Sequence, residues 1–419
     1  RDSELAGIGF LDEIKRFYPG GRTACHVLGY TDIDNRGIEG IEFQYDEYLR
    51  GQKGWLEVTV DAKRRQVPAR GRQYVPPVNG HDVLLTIDEV IQEIVRSDLA
   101  AAVDQHNARG GMAVVLDPHT GEVLAMCKIP DYNSNEASAA EGLRRNDPVV
   151  SVFEPGSTFK VITAAAVLDE GKVEPDDMIF CEKGEYKIGR RILRDHKPHG
   201  DLSFRDVVVM SSNIGIAKAA VTLGEERFYR YLRDFGFGRR TGIDLPGEVG
   251  GILRPVERWS RYSIYTLPMG QEIAVTALQM ASAVGVIANG GYRLRPHLLQ
   301  EVRDQNGVMI RKFQAPRKKR VIKATTARQV REMMREVVRR GTGRRAKPRG
   351  YSAAGKTGTA QKLENGAYSH SKFIASFIGF APAHDPAVVV YIVIDQPRPI
   401  YYGGLVAAPV FSSAAEKIL

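Results

Sequence analysis

Three short polar motifs follow one another along the chain, and they constrain its fold and chemistry more than any other feature. They are Ser157-Thr-Phe-Lys160, Ser211-Ser-Asn213 and Lys356-Thr-Gly-Thr359. Each motif alone is weak, because a Ser-x-x-Lys is expected about once by chance in a chain of this length and composition. All three in this order are expected far less often, so we interpret them as parts of one site.

The first motif has a second copy, Ser369-His-Ser-Lys372, and the flanking residues distinguish the two. Ser157 follows Glu154-Pro-Gly156 and precedes an apolar run over residues 161–168, which predicts the start of a buried helix. Lys160, three residues on, would lie on the same helix face within reach of Ser157. The residues after Ser369 are typical of a strand, so we expect no nucleophile there.

The clearest break in composition is Val75-Pro-Pro-Val-Asn-Gly80, where prolines and a glycine interrupt a strand-like run. We place a domain boundary there, with a small β-rich domain over residues 1–79 and a second domain over residues 80–419. The hydrophobic fraction of 43% is that of a globular protein with a real core. No stretch is apolar enough to cross a membrane, and the chain opens at Arg1, so we expect that any anchor has been removed.

The order of the predicted elements favours an α+β fold whose sheet joins both ends of the sequence. A strand is predicted over residues 55–60, an amphipathic helix over 87–103, and a hairpin over 112–126 with a Pro/Gly turn. Helical patterns cover residues 157–170, 206–234, 273–288 and 407–419, and strands return at 373–380 and 388–395.

The net charge of +9 is concentrated in two basic runs, so a polyanionic partner has to be considered. The runs are Arg311, Lys312, Arg317, Lys318, Lys319 and Arg320, and Arg339, Arg340, Arg344, Arg345, Lys347 and Arg349. No interleaved aromatic pattern accompanies them, so we expect an exposed loop for the first run and no nucleic-acid partner. The three cysteines are widely spaced, which favours buried free thiols, and we expect no metal site and no cofactor.

The residue types in the three motifs fit nucleophilic acyl transfer. An unactivated serine is a poor nucleophile, and no motif places a histidine near Ser157, so Lys160 is the predicted base and must be neutral. Burial and a second cation, Lys356, would both lower the pKa of Lys160. We expect Ser211 to relay a proton to the leaving amine, and Asn213 to hold Lys160 and a substrate carbonyl.

Longer stretches of sequence around the three motifs show which known proteins the chain resembles. They are Glu154-Pro-Gly-Ser-Thr-Phe-Lys160, Ser211-Ser-Asn-Ile-Gly215, Phe235-Gly-Phe-Gly238, Asp244-Leu-Pro-Gly-Glu248 and Gly355-Lys-Thr-Gly-Thr-Ala-Gln361. Over most of residues 81–419 the chain resembles the penicillin-recognising serine acyltransferases, and among them the class B penicillin-binding proteins. The resemblance implies a transpeptidase domain with an antiparallel sheet flanked by helices. The tail Tyr401-Tyr-Gly-Gly404 and the strand at 377–382 are most similar to the septal, cell-division or sporulation branch.

The N-terminal strings resemble the pedestal, or dimerisation-type, domain of the same family. They are Arg16-Phe-Tyr-Pro-Gly20, Gly37-Ile-Glu-Gly-Ile-Glu42 and Leu49-Arg-Gly51. The segment that opens this pedestal, and the membrane helix before it, have no counterpart, so residues 1–79 are expected to be a truncated pedestal. The resemblance implies anchoring in the bacterial cytoplasmic membrane by that missing helix, with the catalytic domain outside the cytoplasm.

The resemblance also assigns the substrate and its contacts. Lys356, Thr357 and Thr359 are implied to receive the terminal carboxylate of a D-alanyl-D-alanine stem peptide. The backbone N–H groups of Ser157 and Thr359 are implied to form the oxyanion hole. We expect Gly358 to leave room for a substrate that pairs as an added strand. The implied partners are stem peptides on lipid II-derived glycan strands, β-lactam antibiotics, a polytopic glycan polymerase and other division proteins.

Three alternatives share the same motifs: a D,D-carboxypeptidase, a β-lactamase and a non-enzymatic β-lactam sensor. A fast β-lactamase needs a deacylating base, often supplied as Glu-x-x-x-Asn between the second and third motifs. None of the glutamates from Glu225 to Glu336 has an asparagine four residues later. A sensor would be expected to lack the pedestal-like residues 1–79. The sequence therefore favours a serine-type transpeptidase that cross-links peptidoglycan during septal wall synthesis.

Overall fold

The computed structural model describes residues 15–419 apart from positions 64, 66, 68–72, 315–317 and 365. Its α-helices are α1 Cys25–Leu28, α2 Gly40–Gln44, α3 Asp46–Leu49, α4 Glu89–Gln105, α5 Asp147–Val150, α6 Lys160–Asp169, α7 Phe204–Met210, α8 Asn213–Leu223, α9 Glu225–Phe235, α10 Ser263–Thr266, α11 Ala277–Ala288, α12 Ala324–Arg340 and α13 Gly403–Ile418. Its strands are β1 Trp55–Leu56, β2 Tyr74–Val75, β3 Asp82–Leu85, β4 Gly110–Leu116, β5 Val123–Ile129, β6 Met178–Phe180, β7 Glu185–Ile188, β8 Arg191–Arg194, β9 Asp201–Ser203, β10 Tyr292–Arg293, β11 Leu299–Arg303, β12 Met309–Lys312, β13 Lys319–Arg320, β14 Ala354–Glu364, β15 Ala367–Ala381 and β16 Val388–Asp395.

A five-stranded antiparallel sheet in the order β14-β15-β16-β4-β5 is the frame of the molecule. Its centre is β16, whose apolar sequence is buried on both faces as far as Ile394. Since β4 and β5 come from the first third of the chain and β14–β16 from the last, the sheet joins both ends, as the sequence predicts. The predicted α+β class is confirmed.

Helices cover both faces of this sheet. One face packs on α4 and α13, through residues such as Leu99 and Phe411. The other face packs on a group of central helices that includes α6 and α11. Every residue of α6 is buried, which is why its sequence is apolar all round rather than amphipathic. The first turn of α6 is therefore surrounded by packed protein atoms.

Most of the predicted elements of the second domain are confirmed. The helix predicted over 87–103 is α4, and the Asp88 side chain caps it by accepting a hydrogen bond from the Ile91 N–H. The predicted hairpin is β4–β5, and the helical stretch at 206–234 is divided into α7, α8 and α9. No helix among the described residues is long and apolar enough to cross a membrane.

The N-terminal region differs from its prediction. Of the strand predicted over 55–60, Trp55–Leu56 pairs with β2, and the Glu57 N–H and the Thr59 carbonyl make further hydrogen bonds to the opposite chain, with Gln73 and Val67. The described part of residues 15–79 also contains α1, α2 and α3, which the sequence did not predict. The reason is tertiary: Ile41 and Tyr45 at α2 are buried in the same core cluster as the central helices. The boundary between residues 79 and 80 stays a prediction, and residues 1–14 lie outside the described part.

The two basic runs are at the surface. In the first run, Arg311 and Lys312 end strand β12 and Lys319–Arg320 form β13, so the predicted loop is replaced by two exposed strands; Arg317 lies outside the described residues. In the second run, Arg339 and Arg340 pair with Glu336 at the end of α12. The three cysteines are buried and free of disulfides.

Candidate active site

Ser157 lies on a tight turn that leads directly into α6. Residues Gly156–Phe159 form one turn of 3-10 helix, and α6 begins at Lys160. Gly156 has φ +56°, and Gly270 packs so closely on it that a Cβ at Gly270 would lie 2.2 Å from the Gly156 carbonyl oxygen. Two glycines therefore allow the backbone contact that fixes the turn, and Ser157 remains half-exposed on it.

Lys160 is fully buried and points away from solvent into the second motif. Its Nζ donates to the Ser211 carbonyl oxygen at 2.6 Å, to Ser211 Oγ at 3.1 Å and to Asn213 Oδ1 at 2.7 Å. Burial lowers the pKa of Lys160 to about 7, against an opposing effect of the nearby Asp195 carboxylate. A substantial neutral fraction at neutral pH is what a lysine base requires.

Ser211 Oγ lies between two lysines. It is 3.1 Å from Lys160 Nζ and accepts a hydrogen bond from Lys356 Nζ at 2.9 Å. Ser211 adopts φ +65° at the end of α7, a left-handed conformation that turns its hydroxyl into the site. Lys356 is also fully buried, and burial together with the charge of Lys160 lowers its pKa. The structure thus joins all three motifs through one hydroxyl.

Asn213 is held at both ends of its amide. Oδ1 accepts from Lys160, and Nδ2 donates to the Arg194 carbonyl oxygen at 2.8 Å. The predicted contact with Lys160 is present in the structure. A contact with a substrate carbonyl stays a prediction, and it would require Nδ2 to be shared with Arg194.

The third motif lies on β14, at the edge of the sheet. Thr357 Oγ1 is 2.7 Å from Thr342 Oγ1, and Thr359 Oγ1 accepts from the Gly403 N–H at 3.1 Å. The sequence predicted that Gly358 leaves room for the substrate, but the structure shows a second reason for a glycine at this position. A Cβ there would lie 2.4 Å from Ser376 Oγ and 2.9 Å from Thr158 Cγ2, so the glycine is required by packing inside the protein.

Sequence reasoning missed Asp195, which contacts the second motif from the loop after β8. Its carboxylate accepts from Ser212 Oγ at 2.6 Å and from the Asn213 N–H at 2.5 Å. It also missed Glu272, whose N–H donates to Glu154 Oε1 at 2.8 Å beside the turn that carries Ser157. Neither acid belongs to a motif, so the sequence held no signal for them. The decoy Ser369 lies on β15, as predicted.

Two family models match this chain. The model of the penicillin binding protein transpeptidase domain matches residues 111–416, and that of the penicillin-binding protein dimerisation domain matches residues 1–85. Stage V sporulation protein D of Bacillus subtilis is 41% identical over 99% of this chain and 65% of its own length. The probable peptidoglycan D,D-transpeptidase PenA of Neisseria meningitidis is 37% identical over 97% of this chain and 68% of its own. The chain thus spans about two thirds of the length of these relatives.

A solved structure agrees with these matches. Penicillin binding protein 3 of Mycobacterium tuberculosis, complexed with aztreonam, superposes with a TM-score of 0.86 at 35% identity, covering 96% of this chain and 89% of that one. Fold and site together define a serine acyltransferase of the penicillin-recognising class. The chain belongs to the penicillin-binding protein family and, within it, is similar to the class B members with a dimerisation domain. The predicted family is confirmed, and so, at the level of the family, is the enzyme class.

Proposed function

We propose that this chain is a peptidoglycan D,D-transpeptidase that works through an acyl-enzyme on Ser157. The observation that carries the proposal is the hydrogen-bonded series Lys160 Nζ, Ser211 Oγ and Lys356 Nζ at the start of α6. It supplies a base of lowered pKa and a proton route, which an otherwise unreactive serine needs. The relative PenA, named above as a probable peptidoglycan D,D-transpeptidase, supports the choice of substrate.

In the first half-reaction, neutral Lys160 accepts the Ser157 hydroxyl proton while Ser157 Oγ attacks the carbonyl of the penultimate D-alanine. The C–N bond to the terminal D-alanine then breaks, and its amine takes the proton that Lys160 gained, passed through Ser211. In the second half-reaction an amine of a neighbouring stem peptide attacks the ester and loses a proton by the same route. Ser157 and Lys160 return to their starting states, and one new peptide bond has formed.

The third motif provides binding and charge stabilisation in this proposal. The donor peptide adds to the free edge of β14, and Lys356, Thr357 and Thr359 receive its terminal carboxylate. The backbone N–H groups of Ser157 and Thr359 stabilise the tetrahedral oxyanion, and one such donor is often worth about 3 to 4 kcal/mol. We propose that a β-lactam ring binds at the same site; the related M. tuberculosis protein has been solved as a complex with aztreonam.

The finer biological role is proposed from similarity. Within the predicted septal, cell-division or sporulation branch, the 41% identity with a protein named for stage V of sporulation supports the sporulation role. Because peptidoglycan is cross-linked outside the cytoplasmic membrane, we propose that this domain works there, attached to the membrane, beside a polytopic glycan polymerase and other division proteins. Pull-down of such a polymerase with the full-length protein would test this part.

Covalent labelling tests the proposed chemistry. The protein is incubated with a labelled penicillin, and the modified peptide is identified by mass spectrometry. We expect one label per chain on Ser157, none in Ser157→Ala, and full labelling in the matched control Ser369→Ala. Thermal unfolding of Ser157→Ala should stay close to wild type, since a half-exposed serine contributes little packing. A label on another residue, or rapid turnover of many penicillin molecules, would contradict the proposal.

A further inference from the structure

The carboxylate of Asp195 accepts hydrogen bonds from the residues that begin the second motif's helix. Its Oδ1 accepts from the Asn213 N–H at 2.5 Å and the Ile214 N–H at 3.0 Å, and its Oδ2 accepts from Ser212 Oγ at 2.6 Å. These N–H groups belong to the first turn of α8, where an anion is favoured by the helix field. Ser212 Oγ in turn accepts a hydrogen bond from the Gly215 N–H, so Asp195 and Ser212 together cap the N-terminus of α8.

The segment around Asp195 fixes the orientation of Asn213. Asp195 holds the Asn213 N–H, and the neighbouring Arg194 carbonyl holds Nδ2 at 2.8 Å. With its backbone and amide nitrogen both held, Asn213 presents Oδ1 to Lys160 Nζ at 2.7 Å. The next residue, His196, packs its ring on Tyr402, with ring centroids 5.6 Å apart. Residues 194–196 therefore connect the second motif to the loop beside the third.

The negative charge of Asp195 also acts on Lys160. Two lysines, Lys160 and Lys356, share this buried site, and the charge of Asp195 raises the pKa of Lys160 against the effect of burial. Two other charged groups, Asp201 and Lys218, act together with Asp195 on the buried Cys181. Among the described residues, Asp195 is thus the carboxylate placed to act on Lys160.

We propose that Asp195 is a positioning residue for acylation: it holds the first turn of α8 so that Asn213 faces Lys160, and its carboxylate offsets the positive charge of the buried lysine pair. The inference rests on the proposed function, because it assumes that Lys160 accepts the Ser157 proton. It adds a residue outside the three motifs, which acts on the reaction through Asn213 and Lys160 without touching the substrate.

The test compares acylation rates against pH for wild type and three variants, with a chromogenic penicillin. Asp195→Asn keeps size and acceptor oxygen but removes the charge that raises the pKa of Lys160, so the midpoint of the rate profile should move to lower pH. Asp195→Glu keeps the charge, so its midpoint should stay near wild type while its maximal rate falls. Asp201→Asn is the matched control, since it removes a nearby charge that does not act on Lys160, and its profile should be unchanged.

The outcomes separate this inference from the proposed function. If wild type is not labelled on Ser157, the proposed function itself fails. If wild type acylates normally and Asp195→Asn loses rate with an unchanged midpoint, Asp195 has only a structural role and the inference is overturned. If Asp195→Asn does not fold, Asp195→Glu decides: a midpoint that moves although the charge is kept would also overturn it.

Discussion

Substitution of Gly358 by alanine is the sharpest test of how the third motif supports the serine. The added Cβ would lie 2.4 Å from Ser376 Oγ, 2.9 Å from Thr158 Cγ2 and 3.1 Å from the Pro155 carbonyl oxygen. The Ser376 hydroxyl can rotate away. Thr158 cannot move as easily, because it is fully buried and its hydroxyl donates to the Pro155 carbonyl at 2.8 Å. The strain therefore passes into the turn that carries Ser157.

The size of the effect follows from these contacts. Overpacking of this kind destabilises a protein by about 1 to 3 kcal/mol, so the melting temperature should fall by a few degrees. The reaction should suffer more, because displacing a reacting group by about 1 Å can cost about 10²-fold in rate. We expect Gly358→Ala to acylate with penicillin about 10²-fold more slowly than wild type, while remaining folded.

The assay is stopped-flow acylation together with thermal unfolding of the same samples. The matched control is Gly285→Ala in the middle of α11, where a Cβ would meet no atom within 4 Å. That change should stabilise the protein by up to about 1 kcal/mol, through helix propensity, and leave acylation unchanged. Wild-type acylation by Gly358→Ala would refute the packing argument, as would an equal loss in the control.

Two further predictions concern the base and the acyl-enzyme. The acylation rate should rise as pH increases through about 7, because Lys160 becomes active when it loses its proton. Lys160→Arg should be inactive at every pH, because a guanidinium does not deprotonate. A pH–rate profile of both proteins checks this prediction. The ester formed from a β-lactam should persist, because the opened ring stays attached and no Glu-x-x-x-Asn base is present, whereas an ester formed from a thioester donor should transfer to an added D-amino acid faster than it hydrolyses. Chromatography of the products measures how much of the ester is transferred and how much is hydrolysed. Dominant hydrolysis would favour a carboxypeptidase.

Local sequence signals were sufficient wherever a residue's structure depends on its neighbours in the chain. The amphipathic helix α4, the β4–β5 hairpin and the apolar α6 after Ser157 are all of this kind. The same holds for the decoy Ser369, whose strand pattern excluded it. The family also followed from sequence, because three motifs in a fixed order are rare by chance and are now matched over most of the chain.

Other features depended on contacts between distant parts of the chain, and there local patterns were insufficient. The helices of residues 15–79 were missed because each has only four or five residues, too few to show a helical repeat, and they are held by contacts such as those of Val27 and Ile41 with the central core. The first basic run forms strands because β12 pairs with β11 and β13 with β10, and such pairing leaves little trace in a charged segment.

The sequence by itself determined the class of chemistry, because a serine, two lysines and an asparagine in ordered motifs leave few other uses for those groups. Only the tertiary structure decided how they act together. It places Ser211 Oγ between Lys160 and Lys356, 51 and 145 residues away in the chain, and adds Asp195 from a loop that carries no motif. Burial and charge act through space, so the lowered pKa of Lys160 and the packing demand at Gly358 exist only once the chain is folded.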